Sequence, residues 1–297
     1  MDNKRVVLKP SHIAERERRA KRRRVYFFVA TILVLLGILS FASHLRSINI
    51  SNVIVEGNRI SSVRDITKSA NKTIEGNYFF IFSKSNIFIF SKSSIEKDLL
   101  NEYPRLESVS VSRLGFNGIK IVVKEREGQY LWCGYLNEEF NINSESTCYF
   151  TDEEGYIFGT SPYFSGDAYF KFYGSETINR TLSPIGQNVT DKARFIELIR
   201  LVYGLEGLDI VPESIKIQDN GEYRIVLTKT DNNQTNKSFI LFSRENNLEE
   251  SLDNLAIALS SVDFKKQFDE ERSNLLYIDL RFKDKVYYKF MPKTANF

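Results

Sequence analysis

Apolar positions along the chain fall into three regimes. The first is a single unbroken block: between Arg24 and Arg46 lie 21 residues without a formal charge, VYFFVATILVLLGILSFASHL. That is close to the ~20 residues that cross a bilayer as a helix, the one conformation in which a lone spanning segment satisfies its own backbone. Residues 25–45 are therefore read as a transmembrane helix. The second regime, residues 46–128, alternates short strand and helix patterns. Ile48–Val55 alternates and ends in Glu56-Gly57-Asn58, a strand followed by a turn. Ser61 and Ser62 offer caps for a helix through about Ala70. An aromatic stretch, YFFIFSKSNIFIF, follows Gly76-Asn77. Ser93 or Ser94 can cap a second helix, with Ile95, Leu99 and Leu100 on one face, that stops before Pro104. Val109 and Val111, then Ile119, Ile121 and Val123, flank Gly115-Phe116-Asn117-Gly118 as a hairpin. The order is βααββ, an α+β unit whose two helices can cover one face of a three-stranded sheet.

The third regime, residues 129–291, reads as a mainly antiparallel β domain with two helices. Ala168–Tyr173, Ile215–Ile217, Tyr223–Thr228 and Phe239–Phe242 are strand-like, with Asp219-Asn220-Gly221 as a hairpin turn. Asp191 caps a helix over Ala193–Tyr203, and Leu248, Leu252, Leu255, Ile257 and Leu259 mark a second through about Ser261. Residues 292–297 form a short tail containing Pro292. The fold class expected is α+β: one N-terminal transmembrane helix, a βααββ domain, then the β domain.

Charge orients this arrangement. The chain has 41 Lys+Arg against 38 Asp+Glu. Residues 1–24 hold ten basic and three acidic side chains, leaving 31 against 35 for the rest. Positive charge beside a span marks the cytoplasmic side, so residues 1–24 are expected in the cytoplasm and the remainder outside. A cleaved leader, for which Ser40-Phe41-Ala42 is a passable site, fits less well, since the apolar stretch exceeds a 7–15-residue signal core. The basic leader needs no partner beyond anionic lipid. With positive charge confined to one end, nucleic acid is not an expected partner.

Catalytic signals are missing from the sequence. The two histidines, His12 and His44, lie in the leader and at the end of the span, which leaves a hydrolytic triad no base. No phosphate-binding loop, HExxH or CxxC occurs, and two Cys with two His do not furnish a multi-ligand metal centre. The acidic cluster Asp152, Glu153 and Glu154 reads as a solvated turn. The chain is expected to be no enzyme, with no cofactor and no small-molecule substrate. Cys133 and Cys148 lie 15 positions apart on the side where disulfides persist. They are either a bridge worth up to ~3 kcal/mol or two buried thiols.

Five segments together carry a resemblance. The strand INISNVIVEGN, the helix end and strand NEYPRLESVSVSR, and the hairpin strand GIKIVVKERE closely resemble the POTRA domain of FtsQ/DivIB cell-division proteins. CYFTDEEGYIF resembles the hairpin that opens the β domain of that family, and NLLYIDLRFKDKVYYKF its closing hairpin. Basic tail, single span, POTRA and β domain come in the family's order. The departures are the aromatic stretch Tyr78–Phe90, the Cys pair and the Asn-rich middle. The resemblance implies a bitopic divisome scaffold in the inner membrane at the septum, with upstream recruiters and small coiled-coil proteins of the FtsB/FtsL type as partners. The alternatives are a POTRA component of envelope protein transport and a membrane-anchored cell-wall enzyme or sensor.

The closing hairpin is the expected docking surface. Alternation puts Leu276, Ile278, Leu280 and Phe282 on one face, read as core, and Tyr277, Asp279 and Arg281 on the other. An exposed Asp279–Arg281 ion pair would contribute at most ~1 kcal/mol. The last strand, about Lys285–Phe290, carries Val286, Tyr287, Tyr288 and Phe290. If uncovered it is a sheet edge that can template an added strand; otherwise it is an ordinary closing strand shielded by the tail. In the resembled family the corresponding strand captures a segment of FtsB and FtsL.

Overall fold

A computed structural model describes residues 11–135, 147–164, 168–228 and 237–291. The expected tail 292–297 and most of the Asn-rich loop lie outside the described residues. The chain divides into two compact units, Met1–Glu125 and Arg126–Phe297.

In the first unit, helix α1 (Ser11–Ser43) is continuous from the basic leader through the apolar block. Its stretch Arg18–Ser43 is long and apolar enough to cross a membrane. The helix ends at Ser43, two residues short of the span read from composition, because side-chain amides take over its last carbonyls. Asn49 Nδ2 donates to the Ser43 and Leu45 carbonyls at 3.0 and 2.8 Å, and Asn86 Nδ2 donates to Ser43 at 3.2 Å. A 3₁₀ turn over Arg46–Ile48 follows, so strand β1 is Asn52–Glu56, later than the alternation suggested.

Next come α2 (Val63–Thr73), β2 (Asn77–Tyr78), β3 (Phe82–Ser83), α3 (Lys92–Glu102), β4 (Leu106–Leu114) and β5 (Gly118–Glu125). The sheet order is β1-β5-β4, with β1 parallel and β4 antiparallel to the central β5. Ile66 and Ala70 of α2 and Ile95 and Leu99 of α3 pack against Val111, Ile119, Ile121 and Val123. The expected serine caps are replaced at both helices. Ser62 makes no capping bond; instead the Glu125 carboxylate accepts the backbone N–H groups of Arg59, Ile60 and Ser61. Ser91, not Ser93 or Ser94, caps α3 by accepting from Ser94 N at 3.2 Å. Gly57 is required at the end of β1: its φ is +87°, and a Cβ there would sit 2.1 Å from the Val123 carbonyl oxygen.

The aromatic stretch folds as a small ribbon, β2 antiparallel to β3. Its turn runs Tyr78-Phe79-Phe80-Ile81, closed by Ile81 N–H donating to the Tyr78 carbonyl at 3.0 Å. Phe79 and Phe80 have φ of +50° and +64°. That is the signature of a type I′ turn, which favours Asn-Gly. A left-handed conformation costs a non-glycine residue about 1–2 kcal/mol, so two adjacent phenylalanines are a costly way to turn.

The second unit is built on a nine-stranded sheet of order β14-β13-β12-β11-β10-β9-β6-β7-β8. The strands are β6 (Tyr130–Trp132), β7 (Tyr149–Thr151), β8 (Ile157–Thr160), β9 (Lys171–Tyr173), β10 (Pro212–Ile217), β11 (Glu222–Leu227), β12 (Phe239–Ser243), β13 (Leu275–Asp279) and β14 (Tyr287–Phe290). Helices α4 (Lys192–Gly207), α5 (Leu248–Ser260) and α6 (Val262–Glu271) cover one face. Phe195 and Leu198 of α4, Leu255 of α5, and Phe264 and Phe268 of α6 pack with Ile215, Ile225, Ile240 and Ile278 from the strands.

The expectation of two helices is corrected to three among the described residues. Ser261 both ends α5 and begins α6, and α6 buries little more than Phe264 and Phe268, a stripe too thin to read within VDFKKQFDEE. In the acidic turn Glu153 is exposed and Glu154 half-exposed, as the solvated reading has it, but Asp152 departs from that reading. Asp152 is buried, pairs with Arg126, and accepts the N–H groups of Glu154 and Tyr156 at 2.9 Å. It thereby shapes the β7–β8 connection. Cys133 and Cys148 are joined as a disulfide, with Cα atoms 4.1 Å apart, so the bridged alternative is the one the structure adopts.

Candidate partner-binding edge

Strand β14 follows β13 through a turn whose Asp284 adopts φ +57°, a conformation Asp tolerates better than most side chains. The two strands pair antiparallel: Tyr277↔Lys289, Ile278↔Tyr288 and Asp279↔Tyr287. β14 is the terminal strand of the nine-stranded sheet, so one of its two backbone edges faces away from every described strand.

Cross-strand partners share a face, which sorts the candidate residues into two groups. Ile278 is fully buried in the helix-covered core, so Tyr288, opposite it, points the same way. The Tyr288 ring stacks on Phe264 of α6, centroids 4.0 Å apart at 23°. Phe290 packs edge-on against Tyr288 and, like Val286, leans on that core. On the opposite face lie Tyr277, Asp279, Arg281 and Tyr287. Tyr277 stacks on Phe239 of β12, centroids 6.0 Å apart. Tyr287 meets Phe282 edge-on at 5.3 Å. The structure thus brings all seven candidates onto one hairpin but not onto one surface, and Tyr287 is the aromatic of β14 that turns away from the helices.

Three readings of β13 change. Leu276, expected in the core, is half-buried, and a register shift between Leu275 and Tyr277 gives the core place to Leu275. Phe282, expected in the core, is 52% exposed, because the strand ends at Asp279 and the alternation lapses beyond it. Asp279, expected on the surface, is 6% exposed. Arg281 grips it with two bonds, Nε to Oδ1 at 2.9 Å and Nη2 to Oδ2 at 2.6 Å, while its Nη1 reaches Glu222 of β11. The Arg281 N–H also donates to Asp279 Oδ1 at 3.1 Å. Fork geometry of this kind fixes position as well as charge, so the triad ties the closing hairpin to a strand two positions into the sheet.

Burial by itself would push the Asp279 carboxyl up, but the side-chain and backbone hydrogen bonds from Arg281 outweigh it and hold the group below the usual carboxylate range. A depressed folded-state value stabilises the fold at pH above the unfolded value of about 3.9, and that contribution disappears as pH falls through the folded value. Melting of the full-length protein should therefore show Asp279→Asn less stable than the parent at neutral pH. The gap should close under acid. A constant gap from neutral to acid would assign the loss to packing rather than charge.

Glu222, Phe239 and Phe264 are the contributors that sequence reasoning missed. Each lies distant in sequence from the hairpin, and without a known register nothing in the chain marks them as its neighbours.

Residues 48–126 match the family model of the POTRA domain, FtsQ-type. No curated protein matches the chain. The domain match bears out the resemblance to FtsQ/DivIB division proteins on the first unit. Ahead of it lies one helix long and apolar enough to cross a membrane, and behind it a strand-rich domain; the FtsQ-type POTRA domain supports a division-related protein.

Proposed function

We propose, for a chain whose POTRA domain is of the FtsQ type, that it is a non-catalytic divisome scaffold. Residues 1–24 lie in the cytoplasm, α1 crosses the inner membrane once, and the POTRA and β domains stand outside it at the septum. The basic leader beside a single apolar helix supports this orientation. The POTRA domain receives the signal of upstream recruiters. The β domain then captures a segment of an FtsB/FtsL-type coiled-coil partner by strand addition, main-chain bonds giving affinity and neighbouring side chains register.

The observation that carries the reading is the position of β14 at the end of the nine-stranded sheet, in a chain that begins with a membrane helix and an FtsQ-type domain. Depletion in the source cell should produce filaments, and a fluorescent fusion should gather at the division site. A fusion spread evenly over the envelope in cells that divide normally under depletion would overturn the scaffold reading.

A further inference from the structure

The β2–β3 ribbon is the one part of the first unit that the scaffold reading leaves without a task, and it is bound to the membrane helix. Ser40 Oγ of α1 donates to the Ile81 carbonyl at 2.8 Å. His44 Nε2 lies 3.3 Å from Asn77 Oδ1, and Ser83 N–H donates to Ser43 Oγ at 2.8 Å. The ribbon is therefore held along the last turn of α1.

Its depth follows from the helix. The 19 residues of α1 from Val25 to Ser43 carry no formal charge and rise about 28 Å at 1.5 Å each, close to the thickness of a hydrocarbon core. Ser40 lies three residues before the end of α1 at Ser43, which puts it about 4.5 Å inside the helix end. Segments that lie in the headgroup–acyl boundary bury their apolar side to a similar depth, about 5–10 Å. The adjoining turn carries Phe79 and Phe80, 86% and 98% exposed, on a backbone conformation that an aqueous turn would fill with Asn-Gly.

A second hairpin at the same end of the domain repeats the pattern. Ser51, just after the span, donates its N–H to the Asn117 carbonyl at 2.9 Å, and the neighbouring Phe116 at the β4–β5 turn is also exposed. Water gives no reason to project bare phenylalanines from this end, and strained backbone persists where the surroundings or a function sustain it.

We propose that the Phe79-Phe80 turn is a membrane wedge: it inserts into the bilayer beside α1, with Phe116 resting on the same surface, and so fixes the POTRA domain against the lipid instead of leaving it free on a tether. The occupant is lipid, because the ribbon is continuous with the span and bonded to it. The inference rests on α1 being a transmembrane helix, not on the scaffold role.

The test uses the full-length protein in phosphatidylcholine–phosphatidylglycerol vesicles, plain or with brominated acyl chains, which quench tryptophan on contact. Trp132 is the sole native tryptophan, so its signal in the parent protein is subtracted. Three reporters are compared: Phe80→Trp at the turn, Leu36→Trp within the span, and Ile60→Trp at the opposite end of the β1 strand. Phe80→Trp and Leu36→Trp should each lose most of their added emission to brominated lipid, while Ile60→Trp keeps its own. An unquenched, red-shifted Phe80→Trp with Leu36→Trp quenched would overturn the wedge and leave the span intact. An unquenched but blue-shifted one would overturn it in favour of a protein cover, such as a second copy of the chain. An unquenched Leu36→Trp would overturn the transmembrane reading and the wedge with it.

Discussion

Replacing Val111 with aspartate should unfold the POTRA domain while the β domain keeps its structure. Val111 is 4% exposed and sits opposite Ile121 on the central strand of a three-stranded sheet. Its side chain belongs to the cluster that joins both helices to that sheet. A carboxylate there loses the apolar contacts and sits among the aliphatic side chains of that cluster. The nearby charge makes matters worse, since the Val111 N–H already donates to the Glu96 carboxylate at 2.8 Å. An unpaired buried charge of this kind costs roughly 3–5 kcal/mol. Natural domains carry only about 5–15 kcal/mol in total, and one of ~80 residues belongs at the low end. Limited proteolysis of the full-length variant should clip the chain before Glu125 and spare Arg126 onward, and under the proposed scaffold role a fluorescent fusion of the variant should not gather at the division site. A Val111→Asp protein that melts like the parent would show that β4 presents a different face to the helices.

The legible and illegible parts of this chain separate on physical grounds. The βααββ order could be read because each element carries its own signal at its own period: Val109 and Val111 alternate, Ile95 and Leu99 recur at one helical turn, and Gly115–Gly118 marks the hairpin. Ile95, Leu99 and Val111 do belong to the buried core, with Val109 partly buried against it. Boundaries were less accessible wherever a distant group supplies the cap. The loop before α2 is closed by Glu125 rather than by its own serines, and α1 ends where Asn49 and Asn86 take its carbonyls. Helix α6 was hidden because two phenylalanines one turn apart give almost no periodic pattern. At the candidate edge, alternation separated Ile278 from Tyr277 and Asp279, but it could not show that Asp279 is buried. That burial comes from Glu222 and Arg281 meeting across the sheet, a contact fixed by strand order. The order itself, with β12 parallel to β13 and β14 outermost, is a non-local property that no window of sequence contains.

If the proposed strand addition holds, replacing Tyr288 with proline should abolish capture of the proposed coiled-coil partner without unfolding the rest of the chain. Proline removes a backbone N–H and fixes φ near −65°, which is incompatible with an extended strand templating another. Tyr288 lies in the middle of β14 opposite Ile278, so the distortion falls at the centre of the offered edge. Each main-chain bond contributes about 1 kcal/mol net, and a four-residue strand offers few of them. Losing two or three bonds means roughly 2–3 kcal/mol, about 30- to 150-fold in Kd, enough to remove a partner from a pull-down. The substitution also deletes the ring that stacks on Phe264, so a second variant separates packing from edge: Phe264→Leu weakens the stack but leaves the β14 backbone unchanged. Capture should survive Phe264→Leu and fail in Tyr288→Pro, with the POTRA domain protease-resistant in both. Tyr287→Ala, on the face turned away from the helices, should weaken capture less than the proline does, because it removes side-chain contact but no backbone donor. Equal capture by parent and Tyr288→Pro would move the interface off β14. Loss in Phe264→Leu alone would make the helix-side aromatic stack, rather than the strand edge, the surface the partner reads.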